Sequence, residues 1–446
     1  MVFAVFLLAA ATDPCRITVL DEGCDWPVPL VELRTTDQQR FVTDNAGVVA
    51  FDDPASMGRE VWLSVRGHGY GVERDDFGFE GVRVVPEAGG SLVIRVKRRN
   101  IARRVGRSSG SGLFAESRKL GDQPDPPDEL GVGRDSVQLV VDGDRLLWLW
   151  GDTSVRRYPL GVFHMTGGWS DRRVYDRRPP LRPRFDFLRD QGQPRPLAEM
   201  PGPGPTWLTA VAALPDTDGR NRVVATYRKI KPPLTTSESG LCEFDEDAGR
   251  FVHLETLWSR DSGRPEPHVL KEGHSVRWVD ADGQSWLLIG NPLPHTRVPA
   301  SYESWRDLTT WQPLSPQATI ASSDGPMAPH SGSIAWSEDR RRWVAVITGR
   351  GEGPAPLSDV WYAEADSPLG PWGPAVRVLS HDDYSFYNPR LLTELEAGPN
   401  VLLFEGTYSA TFAAGAEPTP RYDYNQIVYR LDLDDACLAP ARAEDE

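Results

Sequence analysis

From Gly131 to Leu433 the chain returns five times to one pattern. A polar or aromatic residue opens an apolar strand, an acidic or Gly-rich turn follows, and a second apolar strand closes on another polar residue. The segments are RDSVQLVVDGDRLLWLWGDTS, TWLTAVAALPDTDGRNRVVATYRKI, HSVRWVDADGQSWLLIGN, HSGSIAWSEDRRRWVAVITGR and NPRLLTELEAGPNVLLFEGT. Asp-Gly between two apolar runs is a strong hairpin signal. Further strand-like runs follow each hairpin: GVFHMTGG, LCEFDEDAGRFVHLETLWS, YESWRDLTTWQPL, SDVWYAEADSPLGPWGPAVRVL and YNQIVYRLDL. Units of about four strands, repeating every 55 to 65 residues or so, suit radial sheets that protect one another's edges. The pattern predicts an all-β chain with a five-bladed β-propeller over 131–435. A second sandwich would give no reason for five hairpins with polar residues at the same end.

The first hairpin carries the chemistry. With a two-residue turn at Gly143 and Asp144, Asp142 faces Arg145, and counting outward sets Asp135 opposite Asp152. Directly opposed residues of an antiparallel pair stand about 4.5–5.5 Å apart at Cα. Two carboxyls so close repel, and one pKa is expected to rise. A protonated acid beside an ionised carboxylate is the equipment for glycosidic cleavage, retaining at about 5–5.5 Å between carboxyls and inverting at about 6.5–9.5 Å.

The same counting pairs Trp207 with Arg228, His274 with Asn291, His330 with Thr348 to Arg350, and Asn388 with Glu405. In a propeller these ends converge on one mouth, a concave collection suited to a polyhydroxylated ligand. Asp135 and Asp152 are the candidate catalytic pair, with Glu405 as a reserve acid. Trp207, Arg228, His274, Asn291, His330, Arg350, Tyr387, Asn388 and Arg390 are the candidates for holding hydroxyls or tuning the acids. Asp423, in RYDYNQ, reads as structural.

Residues 15–100 read as a β-sandwich, from short β-branched runs (RITVLD, VPLVELRTT, GVVAFDD, EVWLSVRGHGY, GVRVVPE, SLVIRVKRR) separated by turn formers. The Gly, Ser and Pro of 101–130 predict a linker, and 436–446 a C-terminal tail. Residues 1–14 read as a signal or disordered segment, because MVFAVFLLAAAT is apolar and ends in small residues, although it has no basic start. Secretion or a periplasmic location is favoured over the cytoplasm.

A formal charge of −15 argues against nucleic acid and against an anionic membrane surface, both of which need a basic face. The four Cys make no disulfide scaffold, and the eight His show no metal-ligand spacing. No segment beyond the start is long and apolar enough to span a membrane. The oligomeric state is open.

The segments YESWRDLTTWQPL and SDVWYAEADSPLGPWGPAVRV resemble outer blade strands of the five-bladed propeller glycoside hydrolases of families 43 and 32. WLWGDTS, FYNPR, LFEGTYSATF and PRYDYNQIVYRLDL resemble the domain-of-unknown-function family 4185, some of whose members are endo-D-arabinanases. That resemblance runs from about Gly131 to Leu433 and implies that Asp135 and Asp152 are the catalytic carboxylates. PVPLVEL, TDNAGVVAF and VWLSVRGHGYG resemble the carboxypeptidase regulatory-like, transthyretin-like sandwich, implying an accessory role. The expected activity is hydrolysis of a poly- or oligosaccharide, arabinan-type by resemblance. The alternatives are a polysaccharide lyase and a noncatalytic carbohydrate-binding propeller. No cofactor is expected, and an axial structural calcium is implied by analogy alone.

Overall fold

The computed structural model describes residues 13–122, 131–176 and 178–442. The expected N-terminal signal segment therefore lies almost wholly outside the described residues. The chain is mostly β with few helices, and it divides into two compact units.

Unit one comprises Met1–Arg99 and Gly112–Asp125. Its two four-stranded sheets share one apolar core, filled by alternate residues such as Ile17, Val19, Leu33, Val49, Leu63, Val65 and Val96. Strand Cys15–Asp21 alternates buried and half-buried residues along its whole length, as a strand with one face on a core should. The second part of the expected linker belongs here. Helix Ala115–Lys119 packs beside Val48–Phe51, with Asp44 accepting from the Ser117 amide at 2.7 Å.

Unit two comprises Asn100–Ser111 and Pro126–Glu446. The first part of the expected linker is thus a strand, Arg103–Arg107, paired antiparallel with Asn425–Asp432 as the outer strand of the last sheet. Sequence order hides this pairing, because the partner lies at the far end of the chain. Five four-stranded antiparallel sheets follow one another, with first strands Val137–Asp142, Thr206–Pro215, His274–Val279, Pro329–Ser337 and Ser385–Leu391. These strands lie side by side in chain order, and the fifth lies beside the first. Apolar side chains fill the spaces between successive sheets. Leu147, Leu149, Val211, Val223 and Tyr227 occupy one such space, and Trp148, Trp150, Tyr175, Phe185 and Val428 another. Polar cross-links tie neighbouring sheets together: Asn291 Oδ1, just past the second strand of its sheet, accepts from Gly332 N at 2.9 Å, and Ser333 Oγ from Leu391 N at 2.8 Å.

Two local expectations change. YESWRDL is not a strand but the short helix Tyr302–Arg306, started by Ser301, whose hydroxyl accepts from Ser304 N at 3.2 Å. His274 pairs with Gly290 rather than Asn291. The reason is the turn, a five-residue loop from Asp280 to Gln284 in which the Asp280 carboxylate accepts from the amides of Asp282 and Gln284 at 3.0 and 2.9 Å.

Candidate active site

The first hairpin has the counted turn: Asp142 pairs with Arg145 and Val137 with Trp150. Beyond it, the short strand Gly131–Arg134 pairs with Thr153–Val155 in the same register, Arg134 against Thr153. Asp135 and Asp152 lie between these two ladders, and the Asp135 amide points at the Asp152 carbonyl at 3.4 Å. Here the ladder loosens. Ser136 takes a left-handed φ of 40°, and both Asp135 O and Ser136 O accept from Gly151 N, at 2.8 and 3.1 Å. Both aspartates keep intermediate exposure in the middle of a buried hairpin.

Both carboxyls hold protons more tightly than usual. Burial first, then the neighbouring charge of Asp152, pushes Asp135 up to about 7. Burial pushes Asp152 up to about 6. Hydrogen bonds act the other way. Tyr387 Oη donates to Asp135 Oδ2 at 3.2 Å, Tyr424 donates to the same carboxyl, and Trp207 Nε1 donates to Asp152 Oδ1 at 3.0 Å. All these partners are uncharged, and among the described residues no cation is paired with either acid. Repulsion is therefore relieved by taking up a proton rather than by an ion pair.

The other expected residues divide into two groups. Trp207 and Tyr387 touch the acids, and Asn388 lies beside them, its Nδ2 donating to Ser136 Oγ at 2.7 Å. His330 is half-buried, with its Nδ1 enclosed, and burial and the charge of Arg350 lower its pKa; the Arg350 side chain is exposed.

The rest are committed elsewhere. Arg228 does pair with Trp207, but its guanidinium binds Glu266 Oε2 at 3.0 Å and Thr236 Oγ1 at 2.6 Å. Asn291 spends its carbonyl oxygen on Gly332. His274 Nδ1 lies 3.2 Å from Gln138 Oε1, and burial with the charge of Arg390 lowers its pKa to about 3, so it is a neutral ring. Arg390 forms an ion pair with Glu394 at 2.6 Å and donates to Leu139 O at 3.0 Å. Glu405 pairs with Arg390, not Asn388, and has no exposed surface; Tyr175 Oη donates to it at 3.0 Å. Burial lifts its pKa to about 7, but a carboxyl with no exposed surface cannot meet a substrate, so Glu405 is not placed to be the reserve acid.

Sequence reading missed Tyr424, which bonds to Asp135, and Gly151, whose amide donates to Asp135 O and Ser136 O. Tyr424 reaches Asp135 from a left-handed position, φ 56°, just before the strand Asn425–Asp432. Its only sequence signal is the aromatic-rich RYDYNQ. Asp423 beside it accepts from Tyr384 Oη at 2.5 Å and Ala410 N at 2.7 Å.

No family model and no curated protein matches the chain. Among solved structures it is similar to native Bacillus subtilis arabinanase, with TM-score 0.37 and 11% identity over 68% of this chain and 94% of that one. It is also similar to exo-beta-1,3-galactanase from Phanerochaete chrysosporium, with TM-score 0.41 and 10% identity over 75% of this chain and 65% of that one. A third is an N-acetylgalactosamine deacetylase from F. plautii, with TM-score 0.42 and 10% identity over 78% of this chain and 99% of that one.

Proposed function

We propose that the chain is a glycoside hydrolase. In this reading unit two is a five-bladed β-propeller, unit one an accessory β-sandwich, and Asp135 and Asp152 the catalytic pair at the propeller mouth. The cycle of first strands supports the architecture. The observation that carries the activity is the acid pair itself: facing one another between two ladders, partly accessible, and lifted to about 7 and about 6 with no cation on either among the described residues.

Near neutral pH such a pair holds about one proton between its two carboxyls. The protonated member would donate to the glycosidic oxygen as the C–O bond breaks. The ionised member would stabilise the oxocarbenium-like centre, either by attacking it or by activating water. Tyr387, Tyr424 and Trp207 hold the carboxyls in place, so that little reorganisation accompanies proton transfer. Arabinan-type polymers are the first substrates to try.

The test is a reducing-end screen against D-arabinans, L-arabinans, fructans and marine glycans, with Asp135→Asn/Asp152→Asn as control. Release of reducing ends by the native chain and none by the variant is expected. Release that survives the double substitution, or none from any glycan, removes the proposal.

A further inference from the structure

We infer that Phe412 is a stacking platform for a neutral glycan residue next to the bond that is cut, an assignment that rests on the hydrolase reading above. Phe412 stands on the loop between strands Val401–Ser409 and Asn425–Asp432. Its ring meets that of Tyr387 edge to face, with centroids 5.1 Å apart and planes at 80°. The hydroxyl of that tyrosine is on Asp135. Phe412 is thus two contacts from the acid pair.

Phe412 is nonetheless 42% exposed. Leaving a large ring in water forgoes the stabilisation that burying its apolar surface would bring. The loop that carries it is anchored on both sides. Its base is fixed by Asp423 on the Ala410 amide, Ala413 is buried, and the Ala414 amide donates to Pro354 O at 2.7 Å. These contacts hold the backbone that carries Phe412. Other exposed large apolar residues of this unit, such as Tyr158, Leu234 and Val279, have no such link to the acids among the described contacts.

An aromatic face without a hydrogen-bonding group suits the C–H face of a sugar ring. Trp207 on Asp152 and Phe412 by way of Tyr387 on Asp135 link aromatic surface to each member of the pair. A neutral sugar fits best, because a uronate or sulfate would face two acids that have no cation on them among the described residues.

The test compares Phe412→Ala and Phe412→Trp in the full chain, on whichever glycan the native protein cleaves. Phe412→Ala should raise KM about five- to tenfold, the scale of one aromatic contact, with kcat within about twofold. Phe412→Trp should restore KM. If no glycan is cleaved, the hydrolase reading fails, and the platform is read separately by affinity electrophoresis of the Asp152→Asn chain in gels containing soluble arabinan or inulin. Retardation should then be lost with Phe412→Ala and kept with Phe412→Trp. An unchanged KM or unchanged retardation in Phe412→Ala, loss in Phe412→Trp as large as in Phe412→Ala, or no retardation of the parent by either glycan overturns the assignment.

Discussion

The carboxyl of Asp135 lies over the bare Cα of Gly151, so closely that a Cβ built there would stand 2.0 Å from Oδ1. The colliding atom is the tip of a side chain, so Gly151→Ala should displace the carboxyl rather than unfold the hairpin. A shift of about 1 Å in a reacting group can cost about 100-fold in rate. Gly151→Ala should therefore lose activity on that scale while its thermal midpoint moves little. Full activity in the variant would show that the position of Asp135 is immaterial.

The lifted acids set the pH profile. Below about 6 both are protonated and no carboxylate remains; above about 7 both are ionised and no acid remains. Activity should peak in a narrow bell between those limits. Asp135→Asn and Asp152→Asn should each lower kcat by about 1,000-fold, within the range for losing an acid or base. A flat profile from pH 5 to 9 would contradict the shared proton.

The two limbs should move independently. Tyr424 lowers the pKa of Asp135 by hydrogen bonding, so Tyr424→Phe raises it and carries the alkaline limb upward. Trp207 does the same for Asp152, so Trp207→Phe raises the acid limb and narrows the bell. Each shift should be up to about one pH unit, the size of a single hydrogen bond's contribution. Profiles of kcat/KM measured side by side decide it, since a merely structural role for either ring would lower the bell without moving a limb.

How far these features could be read from sequence depended on the turns. The Asp142 to Arg145 turn is the short form assumed, so counting carried through to Asp135 and Asp152. Trp207 reached Arg228 by two slips that cancel. The loop from Asp216 to Arg220 is one residue out of step with a two-residue turn, and the irregularity between Thr209 and Ala212, where Ala210 has φ 51°, restores the count. In the third hairpin the same kind of Asp-capped loop, at Asp280, has no bulge to offset it, and His274 slipped by one. Arg103–Arg107, Tyr424 and Phe412 stayed hidden because distant partners place them. No local periodicity encodes those contacts.

Glu405 should reveal its burial through stability rather than activity. Its folded pKa is raised to about 7, so between about 4.5 and 7 the folded state holds more proton than the unfolded chain. Stability from this group then falls as pH rises through that window and levels off above it. Glu405→Gln mimics the protonated form at every pH. Its advantage in thermal midpoint over the native chain should grow from pH 4.5 to 7, then stay constant at a few degrees, for a free energy on the order of 3 kcal/mol. A gap independent of pH would mean that the carboxyl stays ionised in the folded protein.

The strand Arg103–Arg107 makes a final demand on the fold. Its Val105 is buried in the cluster with Val428, Trp148 and Tyr175, and Arg104 Nε donates to Tyr429 Oη at 3.0 Å. If this strand completes the last sheet, a charge at Val105 must be buried without a partner or the strand must detach, at about 3 kcal/mol or more. Val105→Asp should therefore speed amide exchange along Asn425–Asp432, whose outer neighbour is lost, while exchange along Cys15–Asp21 in unit one stays as it was. Unaltered protection at Asn425–Asp432 would mean that the last sheet stands without its fourth strand, and that 101–111 is the linker its composition suggests.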